Sequence, residues 1–132
     1  MKFAKIVFWC AGVAGIVALT PMYFLLSFLS ARIPPPFTHP VFYYGFIAIV
    51  QVWHAAFCWI ATDPERFRPI MLFAVMEKFV FVFVVIVLWL DCQAIASLLL
   101  VATADFLLGM LFLAAFLKTA GLKDRGNGSF LA

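Results

Sequence analysis

The chain has 132 residues, of which 67% are hydrophobic and 11% charged, with a net charge of +3 and a mean hydropathy of +1.16. Soluble domains hold nearer half apolar residues and about a quarter charged ones, so this composition excludes a soluble globular fold and leaves no region to house a separate catalytic domain. The small positive charge calls for no nucleic-acid partner; membrane lipids are the partners it implies, through a modest attraction to anionic headgroups.

The first apolar stretch, residues 6–29, follows Lys2 and Lys5. Its ~24 residues exceed the 7 to 15 of a signal-peptide core, which predicts a retained helix. The bulky Phe8-Trp9 pair before Cys10 argues against a lipid-attachment site. Ala11, Gly12, Ala14, Gly15 and Ala18 predict close helix packing. Thr20, Tyr23, Ser27 and Ser30 align on one face around Pro21, whose missing amide predicts a kink. Ile33-Pro34-Pro35-Pro36 then reads as an extended spacer, and His39-Pro40 starts the next helix.

The second stretch, residues 41–61, carries Tyr44, Gln51, His54 and Cys58 at intervals of seven, three and four, which brings all four to one helical face. After it, Thr62 or Asp63 is placed to cap orphan amides, Pro64 suits a first helical position, Glu65 favours a positive helix end, and Pro69 opens the third stretch. That stretch, residues 70–90, carries Glu77 and Lys78. Asp91-Cys92-Gln93 is barely a turn, so the third and fourth spans should pack as an antiparallel hairpin. The fourth stretch, residues 94–117, has Asp105 about a dozen residues from either end. The polar Gly126–Ser129 segment is expected to fray within a tail spanning residues 118–132.

Basic residues set the topology. With the amino terminus cytoplasmic, that side receives Lys2, Lys5, Arg66, Arg68, Lys118, Lys123 and Arg125, seven of nine, and the other side only Arg32. The positive-inside bias predicts an all-α, antiparallel four-helix transmembrane bundle forming a single domain, with both termini cytoplasmic. Trp59, Trp89, Tyr43 and Tyr44 fall near span ends, as belt aromatics do.

An ionised group at the bilayer centre costs ~3 kcal/mol on insertion scales, so such groups face the bundle and pair. At ~1.5 Å per residue, His54, Glu77, Lys78 and Asp105 share one depth band, ~10 to 18 Å from the inner boundary. Lys78, the certain cation, should pair with Glu77 or, across the bundle, with Asp105. Adjacent residues point ~100° apart, so one of Glu77 and Lys78 should turn away, and Lys78 has the longer stem to reach the interface. The remaining carboxylate would be neutral or share a proton with His54, since burial raises acid pKa values and lowers that of histidine. Tyr44, Gln51, His54, Glu77, Lys78 and Asp105 are therefore the candidate polar network or ligand site. His39 reads as a solvated loop histidine. Cys10, Cys58 and Cys92 are poorly placed to pair, and no spacing suggests zinc or haem, so neither a metal nor a cofactor is expected.

Thr38-His39-Pro40-Val41-Phe42-Tyr43-Tyr44-Gly45-Phe46, Asp63-Pro64-Glu65-Arg66-Phe67-Arg68-Pro69 and Glu77-Lys78 resemble segments of small bacterial four-helix membrane proteins, DoxX-like in broad plan. The resemblance covers roughly residues 34–118 and implies a bacterial inner-membrane protein without implying an activity. Sterol-binding four-helix domains of the EXPERA type are a looser analogy, through size and buried acids alone. Three functional readings stand. The leading one is a non-enzymatic accessory or partner-binding subunit, or homo-oligomer, whose polar patch holds the bundle. The second is a carrier of a lipid, sterol-like molecule or quinone in a pocket lined by His54, Glu77 and Asp105. The third is a membrane enzyme using a His and carboxylate pair, which would need those groups around one space.

Overall fold

The computed structural model describes residues 2–32, 38–94 and 96–128, with side chains of the last helix described as far as Thr119. Among them every regular element is helical: α1 (Lys2–Leu19), a 3-10 segment (Thr20–Phe24), α2 (Leu26–Arg32), α3 (Pro40–Thr62), α4 (Arg68–Leu90) and α5 (Ala96–Gly128). Four stretches are long and apolar enough to cross a membrane: Lys2–Phe24, Pro40–Thr62, Arg68–Leu90 and Ala96–Thr119. A 23-residue helix reaches about 35 Å, enough for a hydrocarbon core of about 30 Å. The chain is a multi-pass membrane protein built as a helical bundle. The extended spacer expected at Ile33–Pro36 lies outside the described residues.

The kink expected at Pro21 takes the form of a change of helix type. Proline offers no amide hydrogen and its ring crowds the carbonyl four residues back, so the regular helix stops at Leu19. The hydroxyl of Thr20 donates to the Ile16 carbonyl at 2.7 Å. The backbone then tightens into the 3-10 segment, closed by the Leu25 amide donating to Met22 O at 3.1 Å, before α2 begins.

His39 is extended, with φ −125° and ψ 93°, as the residue before a proline prefers, and Pro40 lies in the first turn of α3. At the other end Asp63 Oδ1 accepts from the Arg66 amide at 3.3 Å. Thr62, the alternative cap, instead donates back to Trp59 O at 2.7 Å. Pro64 and Glu65 belong to a turn rather than to a first helical turn, and α4 starts at Arg68 with Pro69 just inside it.

The Asp91-Cys92-Gln93 connection closes α4 with a paired cap. The Gln93 amide donates to Leu88 O at 2.8 Å and the Cys92 amide to Trp89 O at 3.1 Å. This is the Schellman pattern, and it needs a left-handed residue, which Cys92 supplies at φ 57°. The backbone of α5 stays helical through Gly128, further than the fraying expected of the polar Gly126–Ser129 stretch would allow.

α1 packs chiefly along α3, and α4 along α5; α1 also meets α5, and the α3 to α4 contact is the sparsest of the four. The core lies toward one end of the bundle. Phe8 of α1 stacks on Phe112 of α5 with ring centroids 4.2 Å apart, and Phe57 of α3 presents an edge to Phe112 at 4.9 Å. Ala4, Ala11, Ile60, Ala61, Met71, Ala74, Val75 and Ala115 fill the space around these rings. Large apolar side chains such as Val17, Val52, Trp59, Phe83 and Leu100 are exposed, as befits helices solvated by lipid.

Candidate functional site

The ionisable centre is held between α4 and α5. Lys78 is 2% exposed, and its Nζ lies 3.1 Å from Asp105 Oδ1 and 3.3 Å from Glu77 Oε2. The two carboxylates are less covered, at 16% for Glu77 and 22% for Asp105. Gly109 lets α5 come close at this level, since a Cβ there would stand 3.2 Å from Lys78 Cβ. The ammonium also faces the Phe57 ring, 5.6 Å from its centroid, within cation–π range.

The cross-bundle pairing expected of Lys78 and Asp105 is present. The expectation that Lys78 turns to the interface is overturned: it points into the bundle and draws Glu77 back toward it. Adjacent positions diverge at the backbone, yet two long side chains can converge at their tips. The contact is one of charge more than of directed hydrogen bonding, because Nζ reaches Glu77 Oε1 only at 3.5 Å and Oε2 accepts no well-aligned hydrogen bond.

The polar face of α3 turns toward α1 and the 3-10 segment that follows it. Tyr44 stacks with Tyr23 at 6.3 Å, Gln51 Nε2 donates to Thr20 Oγ1 at 3.0 Å, and His54 lies against Gly15 and Cys58 against Gly12. A Cβ on Gly15 would run into the His54 imidazole; one on Gly12 would meet Cys58 Sγ and stand 2.8 Å from His54 O. These glycines are required by close approach. His54 Nδ1 lies 2.7 Å from Val50 O, and because a carbonyl only accepts, Nδ1 carries the hydrogen. Gln51 Oε1 is buried without a hydrogen-bond partner among the described residues.

The four titratable groups of the shared depth band thus divide into two sets. His54 belongs to the α1 and α3 seam; Glu77, Lys78 and Asp105 belong to α4 and α5. Among the described residues no hydrogen bond or ion pair joins His54 to the other three, so the proton-sharing contact expected of His54 is not formed. Phe57 touches both sets: its ring meets the His54 imidazole at a steep angle with centroids 5.3 Å apart and lies 5.6 Å from the Lys78 ammonium. Sequence reasoning misses Phe57; only its place one turn from His54 and toward the core could have marked it. Tyr43, which the sequence places in the aromatic belt, also reaches inward. Its hydroxyl donates to Met22 O at 2.7 Å, tying α3 to the 3-10 segment.

Among the described residues no cluster of three or more His, Cys, Asp or Glu side chains could hold a metal ion, and the three cysteines are free. A groove of about 250 Å³ lies at the core end of the molecule, lined by Lys5, Ile6, Trp9, Ala61 and Thr62. It touches none of His54, Glu77 and Asp105. Comparisons with protein-family models, with curated proteins and with solved structures find no match to this chain.

Proposed function

We propose that the chain is a non-enzymatic accessory or partner-binding subunit of a bacterial inner membrane, DoxX-like in broad plan, whose buried charges hold an antiparallel bundle with both termini cytoplasmic. The observation that carries this reading is the position of Lys78, almost fully buried, with a carboxylate on each side and an aromatic ring over it. A cation so enclosed serves helix packing. Four spans occupy most of the chain, so the surface left for recognition is the one that faces lipid. The antiparallel course is supported by contacts between early residues of one helix and late residues of its partner, as in Phe8 with Phe57 and Arg68 with Phe116.

The carrier reading is less well supported, since the groove lies away from the polar residues it would need. Acid–base catalysis gains no support, since among the described residues no hydrogen bond or ion pair joins His54 to either carboxylate. Native mass spectrometry with lipid extraction on wild type, Asp105→Asn and His54→Ala separates these readings. The subunit reading expects both variants to lose thermal stability with no small molecule released. A co-purifying apolar molecule that disappears from either variant while the fold survives would overturn it.

A further inference from the structure

The groove beside Lys5 is accounted for by neither the ion cluster nor the α1 and α3 seam. Its walls are formed by Lys5, Ile6, Trp9, Ala61 and Thr62 and are mainly apolar, with Lys5 the one charged residue among them. Ile6 and Trp9 are more than half exposed, which leaves much of the apolar wall uncovered. The Thr62 hydroxyl gives its hydrogen to Trp59 O, so it is already used as a donor. Lys5, with the indole N–H of Trp9, is what the groove offers an incoming acceptor.

The charges around this end of the bundle favour an anion. Lys2, Lys5, Arg66, Arg68 and Lys118 gather here, opposed by Asp63 and Glu65. Among the described residues none of the five cations is within ion-pair distance of a carboxylate. Three instead lie over aromatic rings: Lys118 over Phe3 at 4.2 Å, Arg68 over Phe116 at 4.1 Å and Arg66 over Phe67 at 5.5 Å. The groove also sits where α1 begins and α3 ends, the level of a membrane boundary for two spans. An occupant that meets a boundary, an apolar wall and unpaired cations together must be part hydrocarbon and part anion.

We propose that the groove lined by Lys5, Ile6, Trp9, Ala61 and Thr62 binds one anionic phospholipid, its upper acyl chain along Ile6 and Trp9 and its phosphate at the Lys5 ammonium. The site is independent of the subunit reading: it uses none of the polar cluster, and loss of Asp105 leaves it intact. In the cytoplasmic-termini orientation it draws from the inner leaflet, where anionic lipid attracts basic residues at roughly 1 kcal/mol each.

The test is native mass spectrometry of delipidated protein titrated with phosphatidylglycerol or phosphatidylcholine of matched acyl chains. Wild type is compared with Lys5→Gln, Lys5→Arg, Trp9→Ala and Lys2→Gln, and detergent melting curves monitor the fold. Expected are tighter binding of the first phosphatidylglycerol than of phosphatidylcholine, about fivefold weaker binding in Lys5→Gln, weaker binding in Trp9→Ala, wild-type behaviour in Lys5→Arg, and a clearly smaller loss in Lys2→Gln than in Lys5→Gln. Equal binding of the two lipids overturns the proposal. So does an equal loss in Lys2→Gln and Lys5→Gln, which would mean diffuse charge attraction, or unchanged binding in both Lys5→Gln and Trp9→Ala, which would leave the groove to another occupant.

Discussion

Lys78 of α4 and Asp105 of α5 meet at 3.1 Å inside the bundle, with Glu77 closing the other side of the same ammonium. Removing a partner leaves an uncompensated buried charge, which is where the cost arises. Asp105→Asn keeps Glu77 in place and should cost about 2 kcal/mol, below the 3–5 kcal/mol of a fully broken buried pair. Lys78→Met strands two carboxylates and should cost more, about 3 kcal/mol or above. The triple variant Glu77→Gln, Lys78→Met, Asp105→Asn should regain most of the loss. Denaturant unfolding in detergent micelles measures all three, and a triple variant as unstable as Lys78→Met would refute this account.

The two glycines of α1 should respond differently to alanine. At Gly15 the obstacle is a side chain, so Gly15→Ala should destabilise by about 1–3 kcal/mol as an overpacked contact and recover in a His54→Ala background. At Gly12 the obstacle includes the His54 carbonyl and the Cys58 amide. No side-chain truncation removes those, and Gly12→Ala should stay destabilised even with Cys58→Ala. Melting temperatures of the four variants decide the matter.

Cys92 adopts a left-handed backbone that glycine takes without steric penalty. Cys92→Gly should therefore raise stability by up to about 1 kcal/mol, and Cys92→Val should lower it. Equal stability for both variants in a chemical-denaturation series would show that the turn is not strained.

Tyr43→Phe removes the hydroxyl that tethers α3 to the Met22 carbonyl of the 3-10 segment. The expected cost is about 1 kcal/mol, concentrated locally. Amide hydrogen exchange should quicken over residues 20–25 while α4 and α5 keep wild-type rates.

The sequence makes some of these features legible and hides others for physical reasons. Asp105 and Lys78 can be matched because lipid makes an unpaired charge costly, and few partners exist at that depth. Glu77 cannot be placed from helical angles, which describe where a side chain starts rather than where its rotatable bonds let it end. The stripe of Tyr44, Gln51, His54 and Cys58 is visible as one face of a helix. Its facing surface is not, although Gly12, Gly15, Thr20 and Tyr23 each stand out, because periodicity orients a helix about its own axis without naming its neighbour. For the same reason four groups at one depth read as one patch, whereas the fold gives His54 to one helix seam and the other three to another, with the Phe57 ring in contact with both. Pro21 announces an interruption in α1; the 3-10 geometry depends on how Thr20, Leu25 and Tyr43 rebuild the hydrogen bonding around it.

The short cap at Cys92 bears on how the chain enters the bilayer. Because the cap at Asp91-Cys92-Gln93 turns the chain directly at the end of α4, and only residues 91–95 separate that helix from α5, the two helices can reach the hydrocarbon as one segment, with Lys78 meeting Asp105 within it. Each charge alone would impose an insertion cost of ~3 kcal/mol, enough to hinder partitioning of its helix from the insertion machinery. Lys78 already has Glu77 beside it on α4, so the charge that gains most when the two helices meet is that of Asp105, and it does so before α1 and α3 need to be present. Lengthening this connection with a flexible glycine–serine insert should therefore lower the yield of inserted protein during biosynthesis, while protein that has already assembled keeps its ion pair.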